Sequence, residues 1–89
     1  MKINLEVKPR EHFSRYLFGS AVYAENPSDI DIAIVYDKQF VKIENALAYR
    51  NELVDELSQL NSVPIDTILL SKEEENEMSF LMNAKHIEF

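Results

Sequence analysis

The chain has 89 residues and carries 16 acidic side chains against 9 basic ones, which gives a net charge of −7. This length allows a single domain, predicted to span residues 1–89, and excludes a catalytic domain joined to a separate substrate domain. The acidic balance excludes duplex nucleic acid and anionic membranes as partners, because like charges repel.

Cysteine is absent from the chain, so disulfide bonds and thiol chemistry are excluded. The first residues contain no apolar signal core. The longest apolar runs, such as Ala33–Tyr36, are far shorter than the roughly 20 residues that cross a bilayer as a helix. We therefore expect a cytoplasmic protein that has no contact with a membrane.

The first part of the chain shows strand patterns on the N-terminal side of its single glycine. Apolar and polar residues alternate over Lys2–Val7, which predicts an edge strand. The aromatic-rich segment Phe13–Phe18 predicts a second strand. Gly19 then breaks the pattern, and Ser20 is expected to cap a short helix over Ala21–Glu25.

The middle of the chain changes from a strand pattern to a helical one. Asp29–Tyr36 has the strongest strand pattern of the chain, with alternate residues on opposite faces. From about Phe40 to Leu60 the apolar residues recur at helical spacing, which predicts an amphipathic helix. Its buried stripe is expected to comprise Ile43, Ala46, Leu47, Leu53, Val54, Leu57 and Leu60.

The last third of the chain predicts a strand, a helix and a closing strand. Ile65–Leu70 is apolar and rich in β-branched residues, as is typical of strands. Ser71–Glu74 has the sequence of a capping box, which begins a helix, and His86–Phe89 is expected to form a short strand. Because strands and helices alternate, the predicted fold class is α/β, with a mixed β-sheet packed against helices. The buried side of the last helix is expected to comprise Met78, Leu81 and Met82.

Two acidic residues stand at the start of the strongest strand pattern. Asp29 and Asp31 are two positions apart, so their side chains point to the same face, with Cα atoms roughly 6.5 Å apart. Two unit charges about 4 Å apart repel each other by roughly 4 kcal/mol at an effective dielectric constant of about 20. A divalent cation that prefers oxygen ligands, such as Mg²⁺, relieves this repulsion. The alternative is a polar strand end at the surface that binds nothing.

Asp66 is a single acid at the start of an otherwise apolar strand. If that strand lies beside the strand of Asp29 and Asp31, the three carboxylates meet at one site. Such a set can hold two cations about 3.5–4 Å apart, the spacing used for in-line displacement at phosphorus. The alternative is that Asp66 only begins a strand after a turn.

Gly19 and Ser20 form a candidate phosphate site. Glycine permits a sharp turn and a close approach of the backbone, and the amides and hydroxyl that follow it can bind phosphate oxygens. Because the net charge repels a nucleoside triphosphate, a divalent cation must lie between protein and phosphate. The alternative is that the pair only caps a helix.

The ordered set of these motifs resembles the DNA polymerase β-like nucleotidyltransferase superfamily. Within it, the short single-domain bacterial members, called minimal nucleotidyltransferases, are most similar. The resemblance covers roughly residues 16–70 and implies a palm-like nucleotidyltransferase core. The residues that carry it are Leu17-Phe18-Gly19-Ser20, Ser28-Asp29-Ile30-Asp31-Ile32 and Ile65-Asp66.

The resemblance implies a role for each motif residue. Asp29 and Asp31 bind two cations, Mg²⁺ or Mn²⁺, while Asp66 binds the catalytic cation and helps to deprotonate an acceptor hydroxyl. Gly19 and Ser20 contact the triphosphate. The implied reaction is transfer of a nucleoside monophosphate, AMP from ATP, with pyrophosphate as the leaving group. The implied partner is a small helical toxin of the HEPN type, whose tyrosine is the acceptor and whose antitoxin is this protein.

The segment that follows Ser20 departs from the family pattern. Only eight residues separate Ser20 from Asp29, and Ala21–Ala24 stands where an arginine and a glycine often follow. This departure supports a second interpretation, a catalytically weak or inactive module that binds and neutralises the HEPN-type partner. A third interpretation is a homo-oligomer that pairs through the edge strand predicted at Lys2–Val7, since unpaired strand edges invite pairing.

Overall fold

The computed structural model describes residues 3–89, in which four strands and four helical segments follow one another. The strands are β1 (Phe13–Phe18), β2 (Ile30–Tyr36), β3 (Ile65–Ser71) and β4 (His86–Glu88). The helices are α1 (Ile43–Leu60), α2 (Lys72–Met78) and α3 (Phe80–Asn83), and a 3₁₀ helix covers Gly19–Val22.

The strands form one mixed sheet in the order β3-β2-β1-β4. β2 and β3 are parallel, whereas β1 is antiparallel to both β2 and β4. The parallel pair needs a crossover connection, and α1 provides it. The predicted α/β class with a mixed sheet is therefore confirmed. The predicted bounds of the two central strands differ by one residue each, since β2 begins at Ile30 and β3 ends at Ser71.

The core lies between α1 and one face of the sheet. β2 contributes three isoleucines with no exposed surface, which pack in one cluster with two leucines of α1. Burial of each such side chain stabilises the fold by about 1.5–3 kcal/mol. Because alternate residues of a strand face opposite sides, the buried isoleucines direct Asp31 to the face away from α1. The five core residues are Ile30, Ile32, Ile34, Leu53 and Leu57.

Helix α1 begins at Ile43 rather than near Phe40 and buries a narrower face than predicted. Tyr49 was missing from the predicted stripe, yet it is buried and its ring packs 4.3 Å from that of Phe13, between centroids. The buried face of α1 therefore includes Tyr49. Three residues that were predicted to be buried, Ile43, Leu47 and Leu60, are exposed. Within residues 3–89, neither α1 nor any other helix is long and apolar enough to cross a membrane.

The predicted edge strand at Lys2–Val7 is wrong for residues 3–7, which form no strand, and Lys2 lies outside the described residues. The end of α1 holds this segment instead of a neighbouring strand. The Asn4 N–H donates to Asn61 Oδ1 at 2.8 Å, and Asn61 Nδ2 donates back to the Asn4 carbonyl at 2.8 Å. The apolar side chains still pack on the core, which explains the alternation. The homo-oligomer interpretation loses the strand on which it depended.

The capping box at the start of α2 is confirmed. The Glu74 N–H donates to Ser71 Oγ at 3.1 Å, and the Ser71 N–H donates to Glu74 Oε1 at 2.9 Å. These bonds from Ser71, the backbone one above all, hold the pKa of Glu74 below its ordinary value. The cap begins α2 directly at the end of β3, so strand and helix join without a loop.

The predicted buried side of the last helix is wrong for Met78 and Met82, which are 55% and 85% exposed. The helical period does not continue through Ser79, whose left-handed backbone (φ 49°) separates α2 from α3. Leu81 is half-buried. The predicted closing strand is confirmed as β4, which pairs with β1.

Arg15 is a buried cation that joins distant parts of the chain. Its guanidinium donates to the Phe89 carbonyl at 2.9 and 3.2 Å and to the Lys8 carbonyl at 2.9 Å. It also lies 4.9 Å from the centroid of the Phe89 ring. Because carbonyl oxygens satisfy its donors, the charge is tolerated at 5% exposure, and Arg15 connects Lys8 and Phe89 to β1.

Arg15→Lys is expected to lower the free energy of unfolding by about 1.5–3 kcal/mol, because an ammonium cannot replace the fork of guanidinium donors. Urea unfolding followed by circular dichroism measures the loss. Arg10→Lys is the control, since the exposed pair of Arg10 with Glu52 (2.6 Å) is worth about 0–1 kcal/mol. Equal losses in the two variants contradict the role given to Arg15.

Candidate active site

The two central strands bring together the three aspartates predicted from the sequence. Asp29 directly precedes β2, Asp31 is the second residue of β2, and Asp66 is the second residue of β3. The parallel register places Asp31 opposite Asp66. One carboxylate oxygen from each residue lies within 4.8 Å of the other two. The sequence predicted this site on the condition that the strands of Asp31 and Asp66 are neighbours, and the structure meets that condition.

Local hydrogen bonding explains this convergence. The Ile30 N–H donates to the Pro64 carbonyl at 2.9 Å, so the parallel pairing starts at the residue between Asp29 and Asp31. Ile30 is buried towards α1, which leaves Asp29 and Asp31 on the opposite side. Asp29 and Asp31 are half-buried, whereas Asp66 is exposed. The site is thus open to solvent on the Asp66 side.

Gly19 lies directly against one of these carboxylates. Phe18 pairs with Asp31 across β1 and β2, and the chain turns at Gly19 with φ +74°. A Cβ atom at this position would collide with Asp31 Oδ2. Glycine is therefore favoured for two reasons, the left-handed backbone and the close approach to Asp31.

The helix predicted at Ala21–Glu25 is wrong in extent and in its cap. The segment forms a single 3₁₀ turn, Gly19–Val22, which follows Phe18 directly and has no side-chain cap. Ser20 is half-buried, and its carbonyl accepts from the Ala24 N–H at 2.8 Å. A 3₁₀ turn is tighter than an α-helix and is common in such short pieces. Binding of phosphate by Gly19 and Ser20 stays a prediction.

The electrostatics of the site favour a cation. Burial, and then the charges of Asp29 and Asp66, raise the pKa of Asp31 above its ordinary value. The donors are all carboxylate oxygens, which hard divalent cations such as Mg²⁺ and Mn²⁺ prefer. Among residues 3–89 these three residues are the one cluster of acidic or histidine side chains that meets the spacing of a metal site. The residues present therefore fit a divalent cation.

One basic residue near the site was missed by sequence reasoning. Lys85 lines a cavity of about 380 Å³ together with Phe18, Gly19, Tyr23 and Ala84. Tyr23 is 76% exposed and forms an open wall of this cavity. The sequence signal for Lys85 is the strand predicted at His86–Phe89. Because that strand pairs with β1, the residue before it, Lys85, lies near Gly19.

Gly19→Ala is expected to lower the free energy of unfolding by more than about 1 kcal/mol, because the left-handed backbone and the contact with Asp31 both oppose a Cβ. The same substitution in an Asp31→Ala background should cost less, with a coupling of about 0.5–3 kcal/mol. Urea unfolding of the four proteins gives this coupling. An equal cost in both backgrounds contradicts the contact between Gly19 and Asp31.

Asp31→Asn is expected to stabilise the metal-free protein at neutral pH by about 0.5–2 kcal/mol, because it removes a charge held beside two others. The raised pKa means that the folded protein holds this proton more tightly than the unfolded chain. Stability of the wild type is therefore lost as pH rises from 3.8 through the raised pKa of Asp31. Urea unfolding in a chelator across this pH range measures both effects.

Asp37→Asn is the matched control for that experiment. The pKa of Asp37 is lowered, first by the N–H of Gln39 and further by Lys72, so its ionised form stabilises the fold. Asp37→Asn should therefore lower the free energy of unfolding at neutral pH. It should also abolish the increase in that free energy which the wild type shows as the Asp37 carboxyl group ionises with rising pH. Stabilisation by Asp37→Asn, or none by Asp31→Asn, contradicts the charge repulsion assigned to the site.

A comparison with known proteins identifies the family of the chain. The family model for "Polymerase beta, Nucleotidyltransferase" matches residues 10–87, which contain all five predicted site residues. Searches of curated proteins and of solved structures gave no match. The match covers most of the chain and agrees with the mixed sheet and the three clustered aspartates. The chain therefore belongs to the polymerase beta nucleotidyltransferase family and has a general role in nucleotidyl transfer.

Proposed function

We propose that this protein is a minimal nucleotidyltransferase that transfers AMP from ATP to a hydroxyl group of a protein partner. The observation that carries the proposal is the convergence of Asp29, Asp31 and Asp66 within 4.8 Å, beside the left-handed turn at Gly19. A nucleoside triphosphate can approach an acidic protein of net charge −7 here, because a divalent cation can be held between carboxylates and phosphates.

Each aspartate has a role that fits its position. Asp29 and Asp31, half-buried on one strand end, are the residues to hold both cations, and Asp66 completes the ligands of the catalytic one. Bound Mg²⁺ or Mn²⁺ supplies neutralisation of phosphate charge and polarisation of the phosphorus centre. Gly19 and Ser20 position the triphosphate, and the sheet holds Asp31 and Asp66 in place before substrate binds.

The proposed reaction is an in-line displacement at the α-phosphorus. The acceptor oxygen forms a bond to that phosphorus while the bond to the oxygen bridging the α- and β-phosphates breaks. Pyrophosphate leaves with the electron pair of the broken bond. Asp66 assists removal of the hydroxyl proton, which passes to solvent, and its exposure supports this role.

The acceptor is proposed to be a tyrosine of a helical HEPN-type toxin, for which this protein acts as the antitoxin. A chain of 89 residues with an open site cannot enclose an acceptor, so another molecule must present it. The exposed side of the site, at Asp66, leaves room for such an approach. The partner and its tyrosine come from the resemblance to minimal nucleotidyltransferases.

A second function is supported by the segment after Ser20. It forms a single 3₁₀ turn, and none of residues 21–28 is basic. A chain without a phosphate-binding cation in this segment can retain the fold while losing catalysis. In that case the protein neutralises its partner by binding alone.

The decisive experiment combines the protein with its genetic neighbour, Mg²⁺ or Mn²⁺, and ATP labelled at the α-phosphate. We expect the wild type to label the partner and the Asp29→Asn, Asp31→Asn double variant to lose at least about 10²-fold in rate. Asp37→Asn, outside the cluster and paired with Lys72 at 3.3 Å, should retain labelling. Electrophoresis with autoradiography measures the transfer.

Three outcomes distinguish the two functions. Absence of label from the wild type, under conditions in which the partner binds, rejects the transferase function. If the double variant also still protects cells from the partner, neutralisation by binding alone is the function. If the double variant loses protection together with label transfer, catalysis carries the antitoxin role.

A further inference from the structure

The cavity beside Gly19 contains a cation without an acidic partner. Within residues 3–89, Lys38 and Lys72 form ion pairs, at 3.5 and 3.3 Å, whereas no carboxylate of the described chain lies within 4.0 Å of the Lys85 ammonium. Lys85 is exposed, and its side chain lines the cavity of about 380 Å³ together with Gly19 and Tyr23. In a chain of net charge −7, an unpaired cation in a cavity that is also lined by Gly19, the residue against Asp31, is available to an anionic ligand.

The sheet fixes the position of Lys85. β4 pairs with β1 in antiparallel register, with Phe18 opposite His86. Residue 85 therefore lies one position beyond the last pair, next to Gly19. The His86 ring packs edge-on against Tyr16 at 5.4 Å, and His86 Nδ1 lies 2.8 Å from the Ala84 carbonyl. These contacts hold the backbone on both sides of Lys85.

Gly19 separates two regions of opposite charge. Asp31 lies against one side of the turn and Lys85 lines the cavity that the turn borders. Between Ser20 and Asp29 the sequence has no Lys or Arg, so the turn itself brings no positive charge. A polyphosphate can place one end near the carboxylates with its cation and the other end in the cavity.

We propose that Lys85 binds the β- and γ-phosphates of the nucleoside triphosphate and stabilises pyrophosphate as it leaves. This inference rests on the proposed function and names the residue that supplies the missing positive charge after Ser20. An ammonium donates charge-assisted hydrogen bonds to phosphate oxygens, and Lys85 lines the same cavity as Gly19.

The test measures binding by isothermal titration calorimetry, so it does not depend on turnover. The probes are inorganic tripolyphosphate, ATP and AMP, each with excess Mg²⁺. Lys85→Met removes the charge and keeps the length of the side chain, and Lys85→Arg keeps the charge. Lys42→Met is the matched control, because Lys42 is exposed and lies beyond the opposite end of β2.

Lys85→Met should weaken binding of tripolyphosphate and ATP by about tenfold, as expected for the loss of a charge-assisted hydrogen bond. Binding of AMP, which lacks the terminal phosphates, should change by less than about twofold, and so should all binding by Lys42→Met, because distant charges are screened. Lys85→Arg should retain most of the affinity.

Three results overturn the proposal, and they differ in what else they reject. If the wild type binds ATP and Lys85→Met binds it equally well, only the role of Lys85 is wrong. If Lys85→Met weakens AMP as strongly as ATP, Lys85 does not act on the terminal phosphates. If the wild type binds none of the three probes, the proposed function fails together with the role of Lys85.

Discussion

The parallel pairing of β2 with β3 is the constraint on which the rest of the structure depends. It places Asp31 opposite Asp66, and the buried face of β2 prevents either strand from turning its acid away. Two like charges are held together by backbone hydrogen bonds and core packing that far outweigh their repulsion. Burial, followed by the charges of Asp29 and Asp66, raises the pKa of Asp31. A divalent cation bound by these carboxylates would relieve the repulsion and stabilise the folded protein.

The glycine turn connects this acidic cluster to the second half of the site. Because Gly19 has no side chain, the end of β1 can lie against Asp31, and a phosphate can approach both the backbone and the carboxylates. On the other side of the turn, β4 fixes Lys85 at the rim of the cavity. In the proposed function, the reacting phosphorus of a triphosphate lies at the aspartates and its terminal phosphates lie near Lys85. That proposal gives a chain with an excess of acidic residues a way to bind an anionic substrate.

The sequence predicted those features that depend on local patterns. The capping box at Ser71 and the strand at Phe13–Phe18 follow from adjacent residues, as does the closing strand, which is one residue shorter than the predicted His86–Phe89. The meeting of Asp66 with Asp31 was predicted only on the condition that their strands are neighbours, and other features that depend on distant contacts were missed or wrong. Apolar and polar residues alternate in the same way in a strand and in an extended segment such as residues 3–7, which is held by Asn61. The alternation alone therefore could not distinguish these two structures. The burial of Tyr49 depends on Phe13, and the position of Lys85 depends on pairing between residues far apart in the chain.

The central claim is that Asp29, Asp31 and Asp66 together bind divalent cations in the presence of nucleotide. Electron paramagnetic resonance of free Mn²⁺ measures this directly, in a titration of Mn²⁺ into protein with ATP and into ATP alone. We predict that the wild type removes more Mn²⁺ from solution than ATP alone does, approaching two ions per chain. The Asp29→Asn, Asp31→Asn variant should match ATP alone. A wild-type titration that cannot be distinguished from ATP alone contradicts the account.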